Sequence, residues 1–151
     1  MNEPLPKNVR VWGIWCHLSG TIAALVGTVL FLPFVTLLLP LIVWRSGRDR
    51  HPFIDQQGRE AMNFLLSMTL YGIAAGVLSA FLFFATCSVI IYTSANTTNT
   101  SENMLMWIGY TFLIGVALFV VFQVVITIFA AIKASKGQSY RYPFSLRFLG
   151  S

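Results

Sequence analysis

Charge is what this chain has least of. Only 10% of its 151 residues are charged, against 56% that are hydrophobic. A soluble domain carries about 25% charged residues, because its surface must be wetted. That shortage excludes a water-exposed globule, and the length fits one small helical membrane domain. Acids are scarcest, five in all. No carboxylate pair, nucleophile–base pair or phosphate loop can be read, so neither catalysis nor a cofactor is expected. The two cysteines, Cys16 and Cys87, lie inside apolar runs and read as small buried hydrophobes. His17 stands beside Cys16, but no second ligand pair stands at site spacing, so no metal is expected.

What is present is three long charge-free runs: Val11 to Trp44, Ala61 to Thr93 and Met104 to Ile132. A membrane span needs about 20 apolar residues, so each run can cross once. They are too continuous for barrel strands, and backbone groups in lipid must bond within their own segment, so the runs are helices. The first run lacks a small-residue cleavage site, so the N-terminus is expected to be retained rather than removed as a signal peptide.

Basic residues collect on the cytoplasmic side of short loops. Lys7 and Arg10 precede the first run, Arg45, Arg48, Arg50 and Arg59 follow it, and Lys133, Lys136, Arg141 and Arg147 follow the last. The connector "TSANTTNTSEN", 93–103, has no basic residue and reads as the outside loop. Its sequon matches at Asn96 and Asn99 are what any Asn/Thr-rich loop produces. Both termini are then cytoplasmic and the first run crosses an even number of times; the rival, one long kinked helix with the N-terminus outside, breaks the charge rule. As one helix it would be about 50 Å long, too much for a single modestly tilted span. Gly27, Pro33 and Pro40 supply breaks. The expected fold is all-α, a polytopic four-helix membrane bundle of the inner (plasma) membrane. It has a short N-terminal hairpin over 11–44, re-entrant or barely spanning, and two long transmembrane helices over 61–93 and 104–133. A cytoplasmic loop and helix start (45–60), the outside loop (94–103) and a cytoplasmic interfacial tail (134–151) complete it.

Small residues recur at four-residue steps, Gly72, Gly76 and Ala80 in one helix and Ser19, Ala23 and Gly27 in another, and let a neighbouring helix approach closely. Polar residues inside the runs are few. Asn63, Ser67 and Tyr71 continue the four-residue steps of Asp55 and Arg59, and Gln123 and Thr127 form a similar pair. Such groups should face the bundle or a wet cavity. They read either as interhelical hydrogen bonds or as the lining of a polar path.

Seven of the 15 charged residues fall within "RSGRDRHPFIDQQGRE", 45–60. Pro52 suits the first turn of a helix, with Asp49 or His51 near its cap. Asp55 and Arg59 form an i,i+4 pair. His51 otherwise reads as a solvated loop histidine. The arginines can meet anionic head groups. The mixture of Asp55, Gln56, Gln57, Glu60 and Asn63 exceeds what an anchor requires and points to capping the bundle or docking a partner. In the tail "SYRYPFSLRFL", Tyr140, Tyr142, Phe144, Leu146 and Phe148 alternate with Arg141, Pro143, Ser145 and Arg147. The pattern gives one greasy and one basic face, expected to lie extended along the inner surface, against "HPFIDQQGRE".

In order, "CHLSG", "PLIVW", "HPFIDQQGREAMNF" and "AAIKASKGQSYRYPFSLRFL" resemble a bacterial family of small membrane proteins of unknown function. That family is similar to the twenty-kilodalton membrane component of the chloroplast inner-envelope protein-import translocon (Tic). The resemblance spans nearly the whole chain. It is strongest from Pro52 to Asp55, from Glu60 to Phe64, and at Gly137 with Tyr140 to Pro143. It implies a four-helix membrane domain, a contribution to a translocation pore, and no catalytic motif. The chain departs from that pattern in its short first hairpin and longer outside loop.

Two functions follow. One is a membrane scaffold or accessory subunit docking a membrane-protein partner, or a second copy of itself, through Arg48, Arg50, Asp55, Arg59, Glu60, Tyr140, Arg141 and Tyr142. The alternative is a component of a translocation or transport pore, lined by the Asn63/Ser67/Tyr71 and Gln123/Thr127 rows. The net charge of +5 follows from the positive-inside pattern, so nucleic acid is not implied as a partner.

Overall fold

A computed structural model describes residues 5–29, 35–93 and 98–150. The fold class expected from the sequence is the one observed. Four α-helices follow in order: α1 (Lys7–Val29), α2 (Val35–Gly47), α3 (Pro52–Thr93) and α4 (Thr98–Ser135), with a single 3-10 turn at Arg48–Arg50. No strand occurs among the described residues. Three helices are long and apolar enough to cross a membrane, over Lys7–Val26, Pro52–Tyr92 and Met106–Ser135.

The first apolar run does form a hairpin, with α1 and α2 packed together, but its arms are unequal. α1 has spanning length, whereas α2 holds only 13 residues and contains Pro40. Pro33 and the rest of 30–34 lie outside the described residues, as does the 94–97 part of the expected outside loop. α3 begins at Pro52, nine residues before its charge-free run. With 42 residues it is about 63 Å long, far more than the ~30 Å hydrocarbon core. The nine residues before the charge-free run account for about 14 Å of that excess.

His51 is the cap of α3 rather than a solvated loop residue. Its backbone is extended (φ −163°, ψ 138°), its Nδ1 accepts the Phe53 N–H at 3.1 Å, and its carbonyl accepts from the Ile54 N–H at 2.9 Å. This is N-capping geometry, with Pro52 at the first helical position where it has no bond to lose. α4 ends in a Schellman turn. The Gln138 N–H bonds to Lys133 O and the Gly137 N–H to Ala134 O, both at 3.0 Å. Gly137 holds φ +72°, a left-handed conformation suited to glycine. The turn sends the tail back along the bundle.

Contacts divide the chain into two units, Met1–Thr69 with Gln123–Ser151, and Leu70–Phe122. The first holds the core: Phe64, Met68, Ala130 and Tyr142 in one cluster, Val9, Cys16 and Ile54 in another. The second is a pair of helical segments whose large side chains, such as Val77, Phe81, Phe84, Trp107 and Leu113, are mostly exposed. That surface suits lipid, which is as apolar as these side chains.

Candidate functional site

Side-chain chemistry concentrates in the first unit, where the ends of α1, α2 and α4 meet the start of α3. Helices crowd there because glycine lets them. A Cβ at Gly58 would meet the Trp44 ring, 2.6 Å from Cγ, one at Gly20 would lie 2.7 Å from the Leu65 side chain, and one at Gly13 would lie 3.0 Å from Phe53. In contrast, nothing lies within 4 Å of a Cβ built at Gly72 or Gly76. The close approaches are therefore at glycines that the four-residue rows of the sequence did not mark.

Asp55 is the centre of a charged clasp. Its Oδ2 accepts Arg59 Nε–H at 2.9 Å and pairs with Arg59 Nη2 at 2.8 Å. Its Oδ1 accepts the Trp44 indole N–H at 3.0 Å, which ties the end of α2 to the first turns of α3. Arg59 Nη1–H also donates to Gly150 O at 2.7 Å. Arg48 pairs with Asp49 at 3.4 Å, and Arg50 sits 4.6 Å over the Trp12 ring. Arg10 Nη1–H reaches Ser135 O at 3.4 Å, joining the start of α1 to the end of α4.

Behind the clasp lies a buried hub that the sequence did not single out. His17 Nε2 is 2.7 Å from Gln57 Oε1, and its Nδ1 is 2.9 Å from the Tyr142 hydroxyl. Gln57 uses its amide N–H on Gln138 O at 3.3 Å, leaving its oxygen to accept. His17 Nε2 must then carry the hydrogen and Nδ1 must accept from Tyr142. Burial pushes the Tyr142 hydroxyl well above the usual tyrosine range, so it keeps its proton and remains a donor. Tyr142 also stacks on Phe64 with ring centroids 4.1 Å apart. The signal available in sequence was His17 itself, a lone polar ring in a charge-free run, which needs a partner when buried.

The row Arg59, Asn63, Ser67 is a docking track for the chain's own tail. Leu146 N–H donates to Ser67 Oγ at 2.7 Å. Phe148 N–H and Leu149 N–H donate to Asn63 Oδ1 at 3.1 and 2.8 Å, and Asn63 Nδ2–H donates to Leu149 O at 3.0 Å. The periods match. Four residues of helix rise about 6 Å, and two residues of extended chain about 6.6 Å, so steps of four on α3 meet steps of about two in the tail. The tail lies against α3, as its pattern suggested, but runs on past "HPFIDQQGRE" to Ser67. It is not extended throughout. A turn at Pro143–Phe144, with Phe144 at φ 60°, separates buried Tyr142 from the exposed segment beyond. Replacing Asn63 with alanine removes three bonds, each worth about 1 kcal/mol. The Leu146, Phe148 and Leu149 amides are expected to exchange hydrogen about a hundred times faster, while thermal unfolding of the helices moves little. Exchange measured by mass spectrometry in detergent checks both.

The other sequence-derived residues distribute as follows. Arg50 and Arg141 are exposed, Arg48, Asp55, Arg59, Glu60 and Tyr140 are half-buried, and Tyr142 is buried. Asn63, Ser67 and Thr127 are buried and Gln123 is half-buried. Thr127 Oγ1 donates to Gln123 O at 2.8 Å, a bond within its own helix. Tyr71, Gly72, Gly76 and Ala80 belong to the second unit and are exposed. The crevice bounded by His17, Thr21, Phe64, Gln123, Thr127 and Tyr142 has no room for a water molecule. Among the described residues no three His, Cys, Asp or Glu side chains gather as a metal site.

A family model described as the magnetosome magnetite crystal formation protein family, MamF/MmsF, matches residues 8–149. No curated protein and no solved structure matches the chain. The family match overturns the resemblance to the import translocon. The segments that carried that resemblance, "HPFIDQQGREAMNF" and "SYRYPF", lie inside the matched range. In the fold they form a capped helix start, a tail-docking row and a buried tyrosine, which are features of architecture rather than of conduction.

Proposed function

The chain belongs to the MamF/MmsF magnetosome magnetite crystal formation protein family, and we propose that it serves there as a non-catalytic membrane accessory protein that holds a partner by its basic end. One observation supports this above others. Arg45, Arg50, Lys133, Lys136 and Arg141 are exposed at the end of the first unit, whereas Asp55 is drawn into the clasp with Arg59 and Trp44. Asp49 is the exposed acid among them. A surface so one-sided attracts an acidic partner and repels basic ones. The lack of basic residues over 93–103 supports a cytoplasmic position for this end. The partner is a membrane protein with an acidic face. The clasp and hub keep the helix ends rigid, so the cations are presented at fixed spacing.

Charge reversal tests the reading: Arg45→Glu, Arg50→Glu, Lys133→Glu and Lys136→Glu together, in cells that form magnetite. None of the four bonds to a hub or clasp side chain, although Arg50 lies over the Trp12 ring and Lys133 Nζ donates to Gln138 Oε1 at 3.1 Å. The altered chain is expected to reach the membrane at normal level, to lose its co-purifying partner in gentle detergent, and to change magnetite crystal size or number. Unchanged recovery of every associated protein, with unchanged crystals, overturns the reading. Recovery of a homo-oligomer alone replaces the acidic partner with a second copy.

A further inference from the structure

The tail beyond the turn carries apolar side chains that are largely exposed. Phe144, Leu146 and Phe148 are 74%, 42% and 53% exposed. They lie between Arg141 and Arg147, both exposed. The backbone is held at four residues: Leu146, Phe148 and Leu149 donate to Ser67 and Asn63, and Gly150 accepts from Arg59. A bulky residue at φ 60° is costly, and Phe144 holds that conformation between a buried Tyr142 and a bonded Leu146. The segment is therefore fixed with its greasy side chains outward, not loosely trailing.

Its depth says what it meets. The Ser67 hydroxyl that receives the Leu146 amide lies six residues, about 9 Å, inside the charge-free run that starts at Ala61. Gly150 lies level with Arg59, at the charged start of α3. The tail thus slopes from the charged first turns into the apolar level of α3. Aromatic and aliphatic side chains with flanking arginines suit that zone, where rings sit among acyl chains and guanidinium groups reach phosphate. Lys133, Lys136, Arg141 and Arg147 add four positive charges, and no acid follows Glu102 in the sequence. Glu60 is half-buried and Asp55 is paired with Arg59.

We infer that the strap from Pro143 to Gly150 is an interfacial anchor for anionic lipid: Phe144, Leu146 and Phe148 enter the head-group boundary, while Arg141 and Arg147 bind lipid phosphates. This goes beyond the partner reading and does not depend on it. Arg141 also belongs to the basic end described above, but neither it nor Arg147 is among the four cations reversed there.

The test uses the full chain in nanodiscs. Phe148→Cys, with Cys16→Ala and Cys87→Ala, carries an environment-sensitive fluorophore on a side chain that makes no bond to the track, and Leu146→Cys serves as a second site. In discs containing phosphatidylglycerol, a nitroxide on the lipid head group is expected to quench the label several-fold better than a water-soluble nitroxide. Arg141→Gln with Arg147→Gln, or discs of phosphatidylcholine alone, should cut that lipid quenching by at least half. Dominant quenching by the water-soluble nitroxide at both sites overturns the inference. So does protection from both quenchers, which would mean that protein covers the strap. Equal lipid quenching with and without the arginines overturns the anionic part.

Discussion

Replacing His17 with leucine is expected to destabilise the folded domain by about 4 kcal/mol. The leucine fills space in the bundle but leaves Gln57 Oε1 without its partner and the Tyr142 hydroxyl without its imidazole acceptor. Each such loss costs ~1–3 kcal/mol in a buried site. Lipid supplies no water to satisfy them. The loss should also loosen the tail, since Tyr142 is its deepest side chain. Thermal unfolding in mild detergent reads the stability. A second substitution makes the cause visible: His17→Leu with Tyr142→Phe removes one of these groups and keeps the ring stacked on Phe64, and should recover 1 kcal/mol or more, by the same reckoning of about 1–3 kcal/mol per group. If the double variant is as unstable as the sum of its parts, the hub is not held by these bonds.

Gly58→Ala is the second large effect. The added Cβ meets the Trp44 indole, 2.6 Å from Cγ and 2.9 Å from Nε1. The ring must leave, and the Trp44–Asp55 bond goes with it. Overpacking of this kind costs ~1–3 kcal/mol, and the lost hydrogen bond about 1 more. The same exchange at Gly72 meets nothing within 4 Å. There alanine should be neutral or stabilising by about 0.5–1 kcal/mol, because it favours helix over glycine. Measured side by side in one detergent, Gly58→Ala loses stability and Gly72→Ala does not if the packing is as described. Gly58→Ala combined with Trp44→Leu should recover part of the loss, whereas an unfolded Gly58→Ala that no change at Trp44 relieves would place the clash elsewhere.

These two positions also show where reading a sequence stops. Gly58 and Gly72 are both helical glycines, and the row Gly72, Gly76, Ala80 had the more suggestive spacing. Spacing says that close approach is allowed; only the placement of Trp44 says that it happens at Gly58. The polar row behaved in the same way. Four-residue steps put Asp55, Arg59, Asn63 and Ser67 near one face, and that face was legible. Its occupant was not, because bundle-facing polar groups look alike whether they meet a helix, water or a strand of the same chain. The resemblance to the translocon failed for a related reason. Its motifs encode a cap, a turn and a docking track, which specify a fold and leave its use open.

By itself the sequence determined the membrane class, the number and order of the helices, the basic ends and the start of α3. Each follows from local composition: lipid demands continuous helices, and proline, glycine and charge mark where they begin and end. The tertiary structure alone decided that His17, Gln57 and Tyr142 share one buried hub, that Trp44 closes on Gly58 and Asp55, and that the tail binds Arg59, Asn63 and Ser67. Those pairs are 40 to 125 residues apart for the hub and 79 to 91 for the tail. No local periodicity reaches across such separations; they are fixed only when the Schellman turn at Gly137 returns the chain and the orphaned polar groups of one segment find those of another.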